Sequence, residues 1–300
     1  MGVVLTIGPS QRGFTLIELV VVIVISGVIA VVASQLIQRP VEMYQSQASR
    51  ARLVDRADTA LVRMTRELRD ALPNSVRIGC SGRCLEFLHV VTGGLYRAAP
   101  VGDPLALSFN PADADSRFEV LGLLLDSGSI QLGGSVDACR NMTASCLVIY
   151  NTGLLGSDAY NLDNAAAISA LNSGAPITLD FINNGFGGGQ TAFPAASPDQ
   201  RFYIVDTPVT YLCDPAGGTI RRYQGYSLQS SQDAVDSHAE LLAQNNPAEY
   251  ALLVDQVTAC DFTYNAGTPS RNALVTLEMT MQERGESIHL LQQAHLVNMP

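Results

Sequence analysis

Six cysteines, four histidines and a scatter of aspartates are the residues of this chain whose types could do chemistry. The cysteines fall into three sequence-local pairs: Cys80 and Cys84, Cys139 and Cys146, Cys213 and Cys260. Structural zinc usually takes closely spaced Cys-x2-Cys pairs. None occurs, and His89, His238, His289 and His295 are scattered, so no metal site is expected. An even cysteine count behind an apolar N-terminal segment reads instead as disulfides made in an oxidising compartment. Fifteen connectivities are open to six cysteines. Pairing between neighbours is the expectation, because each member flanks a turn-like or strand-like stretch. A Cys213–Cys260 bridge would close the largest loop and contribute about 4 kcal/mol by chain entropy.

The remaining candidates point away from catalysis. Asp180, Asp206, Asp214 and Asp261 have no EF-hand spacing and are expected to cap turns. "GFGGG" (185–189) lacks the lysine and the following helix of a phosphate-binding loop, and reads as a flexible loop. There is no Gly-x-Ser-x-Gly elbow and no His-Glu-x-x-His. His289 and His295 fall on a strand pair and are expected to be half-buried and structural. With no convergent acid, base and nucleophile, neither an enzyme nor a cofactor is expected. All 18 cations are arginine and the net charge is −10. That excludes lysine-dependent catalysis and makes nucleic acid an unsuitable partner.

One residue stands out by its surroundings. Glu18 lies inside a 24-residue run, Phe14 to Ile37, of mostly Val, Ile, Leu and Ala. Such a run can cross a hydrocarbon layer of about 30 Å as a helix, and an unpaired carboxylate there costs several kcal/mol. Arginine counts oppose a head outside the cytoplasm, since only Arg12 precedes the run and Arg39, Arg50, Arg52 and Arg56 follow it. The cysteines argue for export.

The stretch "RGFTLIELVVVIVISGVIAV" (12–31) resembles the type IV prepilin signature: a short leader ending in glycine, then Phe-Thr-Leu-Ile-Glu and an apolar run. The resemblance implies cleavage between Gly13 and Phe14 by a prepilin peptidase, and methylation of the new amine on Phe14. It also implies that Glu18 meets the N-terminal amine of a neighbouring subunit during fibre assembly. The other reading is a secretory signal cut after Ala33, which a weakly basic start and an over-long apolar core disfavour.

The elements that must carry these residues follow from periodicity. Leu53, Ala57, Leu61, Met64, Leu68 and Leu72 form one apolar stripe at helical spacing. Arg50, Arg52, Arg56, Arg63, Arg66 and Arg69, mixed with acids, make a solvated face. Pro40 is expected to kink the helix, and Pro73 to stop it. The expected layout is a leader at 1–13, a transmembrane and fibre-core helix at 14–37, an amphipathic continuation at 38–72 and a disulfide-containing head at 73–300.

In the head, 84–91 and 95–99 are expected to form a hairpin around "TGG". Further strands are expected at 118–125, 146–150, 176–182 and 201–213, with a hairpin over 273–297 turning at 284–285. Short helices are expected at 163–171 and 237–244, and an exposed linker at 183–200. The fold class is α+β, a long N-terminal helix packed on an antiparallel β-sheet head, as in type IV pilins.

Stretches 61–77, 201–214, 220–228 and 289–300 resemble minor pilins of the mannose-sensitive haemagglutinin (MSHA) pilus, and in style the J-type minor pseudopilins of type II secretion. These resemblances imply a minor pilin that initiates or caps a fibre, with a secretion pseudopilin or a tip adhesin as alternatives, and a head this bulky beyond Leu72 is expected to be used in low copy. They imply an inner-membrane anchor with a periplasmic head, later exposed on the pilus. Prepilin peptidase, the major pilin, other minor pilins and the inner-membrane assembly platform are the implied partners.

Overall fold

The structure, a computed structural model, describes residues 13–98, 102–183, 189–267 and 272–296; of residues 35, 37–39, 41 and 42 it describes the backbone only. Leader residues 1–12 and residues 185–188 of the glycine run lie outside the described residues. The chain divides into two units, 1–51 and 52–300. Helix α1 (Leu16–Arg69) begins in the first and ends in the second, and Pro40 lies inside it without ending it.

Within the second unit the helix buries the stripe that its spacing predicts. Leu53, Ala57, Leu61, Met64 and Leu68 are at most 2 % exposed, while Arg52, Arg56, Arg63, Arg66 and Arg69 face solvent. Residues three and four apart share one side of a helix, so a single stripe serves a single core. The helix stops at Arg69, three residues short of Leu72. There the Leu72 amide donates to the Leu88 carbonyl (2.8 Å), and the Val90 amide donates to the Asp70 carbonyl (2.9 Å). Strand pairing takes the chain over before Pro73 is reached.

The first seven strands are β1 (Arg77–Gly79), β2 (Cys84–Tyr96), β3 (Arg117–Leu121), β4 (Cys146–Ile149), β5 (Ala165–Asn172), β6 (Thr178–Phe181) and β7 (Arg201–Asp214). β8 (Thr219–Gln224), β9 (Glu249–Asp255), β10 (Val257–Asn265), β11 (Ala273–Glu283) and β12 (Glu286–Leu296) complete them. Two short helices, α2 (Val136–Arg140) and α3 (His238–Leu242), lie between them. Every strand pair is antiparallel, which fits the expected α+β class.

Nine strands join in the order β1-β2-β3-β6-β5-β4-β7-β8-β9, and β2 also pairs with β7. That extra pairing closes β2, β3, β6, β5, β4 and β7 into a ring, a small barrel. Inside it lie Tyr96, Phe118, Phe181, Phe193 and Phe202 with Ile149, Ile168 and Ile204. A separate three-stranded sheet, β10-β11-β12, shares the helix-stripe core with Leu85, Phe87, Val209 and Tyr211.

Five further expectations need correction. The segment 84–96 is one strand rather than a hairpin. At Gly93 an added Cβ would come within 2.9 Å of the Phe202 carbonyl oxygen, and at Gly94 within 2.9 Å of the Phe202 ring, so these glycines let β7 approach. Residues 163–171 form β5 rather than a helix. Helix propensity favours the alanines of that run, but Ala166 faces the barrel core and Ala165 and Ala167 face a second core outside it. A thin wall buried on both sides wants small side chains. Residues 190–200 are no exposed linker, because Phe193 plugs the barrel against Phe181, 5.3 Å between ring centroids. His289 and His295 are exposed, on the solvent side of β12. β3 also ends earlier than expected, at Leu121, where Gly122 takes φ +92°. The hairpin of β11 and β12 turns at Arg284 and Gly285, both at positive φ (52° and 84°), as a tight two-residue turn requires.

Candidate functional site

Helix α1 opens on a cap built from sequence. The Thr15 carbonyl accepts from the Leu19 amide at 3.2 Å, so Thr15 is the residue flanking the first turn. Its hydroxyl accepts the Glu18 amide at 3.3 Å and stands 3.5 Å from a Glu18 carboxylate oxygen, to which it donates. This is one half of a capping box, Thr-x-x-Glu, the threonine hydroxyl taking the Glu18 amide, with an acid in the turn where the helix dipole favours negative charge. Among the described residues Glu18 has no cationic partner: Thr15 supplies its hydrogen bond.

From Leu16 to Ser34 runs the one helical stretch, among the described residues, long and apolar enough to cross a membrane, with mean hydropathy 3.0 and none of it buried. Its Leu, Ile and Val side chains are 46–81 % exposed. Among the described residues, therefore, nothing in the first unit covers this surface. Among the described residues, a Cβ added at Gly13 would meet nothing within 4 Å.

In the second unit the titratable groups are tied into pairs that join elements. Glu86 on β2 is fully buried and accepts from Arg77 Nε at 2.7 Å and from the Tyr226 hydroxyl at 2.9 Å. Arg77 also donates to the Gln229 and Ser230 carbonyls and lies 3.6 Å above the Tyr160 ring centre. Burial pushes the Glu86 carboxyl up from its ordinary value, against the pull of Arg77 and Tyr226. Glu67 on α1 accepts from Arg222 Nε at 2.7 Å and Tyr211 Oη at 2.8 Å, and pairs with Arg63 at 3.0 Å. Burial works upward on Glu67 too, but Arg222, Tyr211 and Arg63 outweigh it and hold its carboxyl below the usual range. His89 pairs with Asp206 at 2.8 Å, which raises its imidazole above the ordinary value against the effect of burial.

Sequence reading missed the Arg77–Glu86 pair. The signal was present, because "CLEFL" sets a glutamate inside an apolar strand. Of the four aspartates expected to cap turns, Asp214 does so, accepting the Gly217 amide at 3.0 Å, whereas Asp180 pairs with Arg117, Asp206 with His89, and Asp261 lies within β10. Among the described residues no three His, Cys, Asp or Glu side chains converge as a metal site would need. A cleft of about 430 Å³ opens where α1 ends, with Leu68, Leu72, Val90 and Leu296 beside Arg69, Asp70 and Arg201. No histidine or cysteine lines it.

The structure holds three disulfides, Cys80–Cys84, Cys139–Cys146 and Cys213–Cys260, with Cα separations of 5.3, 5.5 and 6.6 Å. Among the described residues no cysteine is free. The third bridge links β7 to β10 and so ties the large sheet to the small one.

Residues 8–34 match the family described as the prokaryotic N-terminal methylation motif. The match takes in Gly13, Phe14 and Glu18 and nearly all of the apolar stretch, and it supports a type IV pilin-like or pseudopilin protein that is processed by prepilin peptidase and anchored by this helix. No curated protein and no solved structure matches the chain.

Proposed function

We propose that this chain is a minor type IV pilin, of the kind of the minor pilin O of the MSHA pilus, and that it helps to initiate or cap a fibre. The observation that carries the reading is the methylation motif over 8–34 set on a helical stretch, Leu16–Ser34, whose apolar side chains have no cover and whose one acid, Glu18, has no cationic partner among the described residues. Hydrolysis of the Gly13–Phe14 peptide bond leaves a carboxylate on the leader and a new amine on Phe14, which is then methylated. Glycine at 13 is what a peptidase cleft that admits no side chain would select.

The freed amine supplies the cation that Glu18 lacks, from a neighbouring subunit as apolar helices stack. The cost of a carboxylate in hydrocarbon then favours docking in one register. The head, closed by disulfides, is carried in the periplasm and later on the fibre; it is a structural part rather than an enzyme. The major pilin, other minor pilins and the inner-membrane assembly platform are its partners. The same motif suits a J-type minor pseudopilin of type II secretion, and sheared extracellular fibres separate the two, since only the pilin is found in them.

The deciding measurement is the N-terminus of the mature protein by mass spectrometry. N-methylated Phe14 is expected, and Gly13→Ala leaves the full-length chain in the membrane. A mature start at Ser34, or at Met1, overturns the reading.

A further inference from the structure

Closing the barrel removes strand edges, and most remaining edges of the head are covered. β1 is three residues long and lies beside Gln232, whose side chain reaches the Arg77 carbonyl. β9 carries Glu249 and Asp255 at its two ends, the latter paired with Arg56 at 3.2 Å. β10 is held at Phe262 by the Gly82 carbonyl, 2.7 Å, and at Cys260 by its disulfide. Among the described residues β12 has none of these devices. It is 11 residues long, pairs with β11 without a register shift, and from Ser287 to Leu296 contains no Asp, Glu, Arg or Pro. Long, uncharged, unbulged edges are what folded proteins normally avoid.

The hairpin geometry says which groups face outward. A two-residue turn closes on a hydrogen-bonded pair, here Glu283 and Glu286. Alternation then leaves the amides and carbonyls of Ser287, His289, Leu291, Gln293 and His295 pointing away from β11. Among the described residues none of these amides or carbonyls has another backbone partner. All five side chains are exposed, and Leu291, at their centre, is 52 % exposed.

We infer that β12 is a docking edge for the β12 strand of a second copy of this chain, paired antiparallel about Leu291. In that register Leu291 meets Leu291 of the second copy, His289 meets Gln293, and Ser287 meets His295. Every outward amide and carbonyl finds a partner, an apolar pair fills the centre, and no like charges oppose each other. The three-stranded sheets of the two copies become one sheet of six strands. This inference goes beyond the pilin reading and stands or falls apart from it.

The test uses the full chain in detergent micelles with single cysteines, which are the only free thiols beside the three disulfides. Opposed residues in such a pair have Cα atoms about 5.5 Å apart, within disulfide reach. Leu291→Cys under mild oxidation is expected to give a reducible dimer. Gln293→Cys alone is not, because its counterpart lies about 14 Å along the strand. A mixture of His289→Cys and Gln293→Cys chains crosslinks to each other.

Leu291→Pro removes an outward amide at an edge, where proline is tolerated. It is expected to abolish the dimer by sedimentation and to move the unfolding midpoint by no more than about 2 °C. Association through the apolar helix predicts the reverse, dimers that persist in Leu291→Pro and no crosslink at 291. That outcome overturns the inference, as does crosslinking of Leu291→Cys to a different protein.

Discussion

Replacing Glu18 by leucine separates anchoring from assembly, because the two respond with opposite sign. The span Leu16–Ser34 is centred on Ile25, so Glu18 lies seven residues, or about 10 Å, from the midplane. With a half-thickness of about 15 Å the carboxylate sits roughly 5 Å below the hydrocarbon surface. An acid at the centre of a span costs about 3 kcal/mol on the insertion scale, and that is the upper bound here. The span holds thirteen Leu, Ile and Val residues, together worth about −4 to −8 kcal/mol on the same scale. Anchoring therefore does not need the substitution, and Glu18→Leu makes the lone subunit up to about 3 kcal/mol more stable in lipid.

Assembly moves the other way. If Glu18 pairs with a neighbour's amine, losing it forfeits up to the same 3 kcal/mol, about 100-fold in the docking equilibrium at roughly 1.4 kcal/mol per decade. Cleavage and methylation are expected to be normal by mass spectrometry, with the chain in sheared fibres at least about tenfold reduced. Thr15→Ala is the control. It removes the cap, worth about 1 kcal/mol, keeps the charge, and should cost far less incorporation. Wild-type fibre content in Glu18→Leu would refute the pairing.

Arg77→Ala leaves the Glu86 carboxyl buried without its cation, and a loss of about 3–5 kcal/mol in chemical denaturation is expected. Adding Glu86→Gln should recover much of it; a single-variant loss under about 1 kcal/mol would show the carboxyl to be hydrated. The disulfides should rank by loop length. Serine at Cys213 and Cys260 opens a separation of 47 residues and costs about 4 kcal/mol, against about 2 kcal/mol for the separation of 4 at Cys80 and Cys84. Equal losses in unfolding midpoint would contradict that order.

The parts of this protein legible in sequence are those where one pattern served one environment. The stripe Leu53, Ala57, Leu61, Met64 and Leu68 meets a single core, and its period showed it. β11 alternates between core and solvent, and the tight turn at Arg284 and Gly285 marked the hairpin. β5 defeated the same reading because it is buried on both faces, so alternation vanished and the alanines mimicked a helix. Gly93 and Gly94 read as a turn because sequence cannot tell a glycine that bends from a glycine that admits a neighbouring ring. Barrel closure depends on β2 meeting β7 across more than a hundred residues, and no local signal carries that.

Glu18 and Glu86 both stand in apolar runs, and the fold treats them differently. Glu86 lies in "CLEFL" on β2, and the head spends Arg77, two tyrosines and two backbone carbonyls on making that charge tolerable. Glu18 lies in "LIELV", in a segment at least as apolar, and receives one threonine hydroxyl. Burying a carboxylate costs the same order of free energy in a protein core as in hydrocarbon. An acid left so poorly served must therefore be matched from outside its own chain or stay near water. The apolar surface around it, exposed from Leu16 to Ser34, has the same requirement. A second helix carrying a cation at its tip satisfies both at once, whereas lipid alone satisfies only the surface.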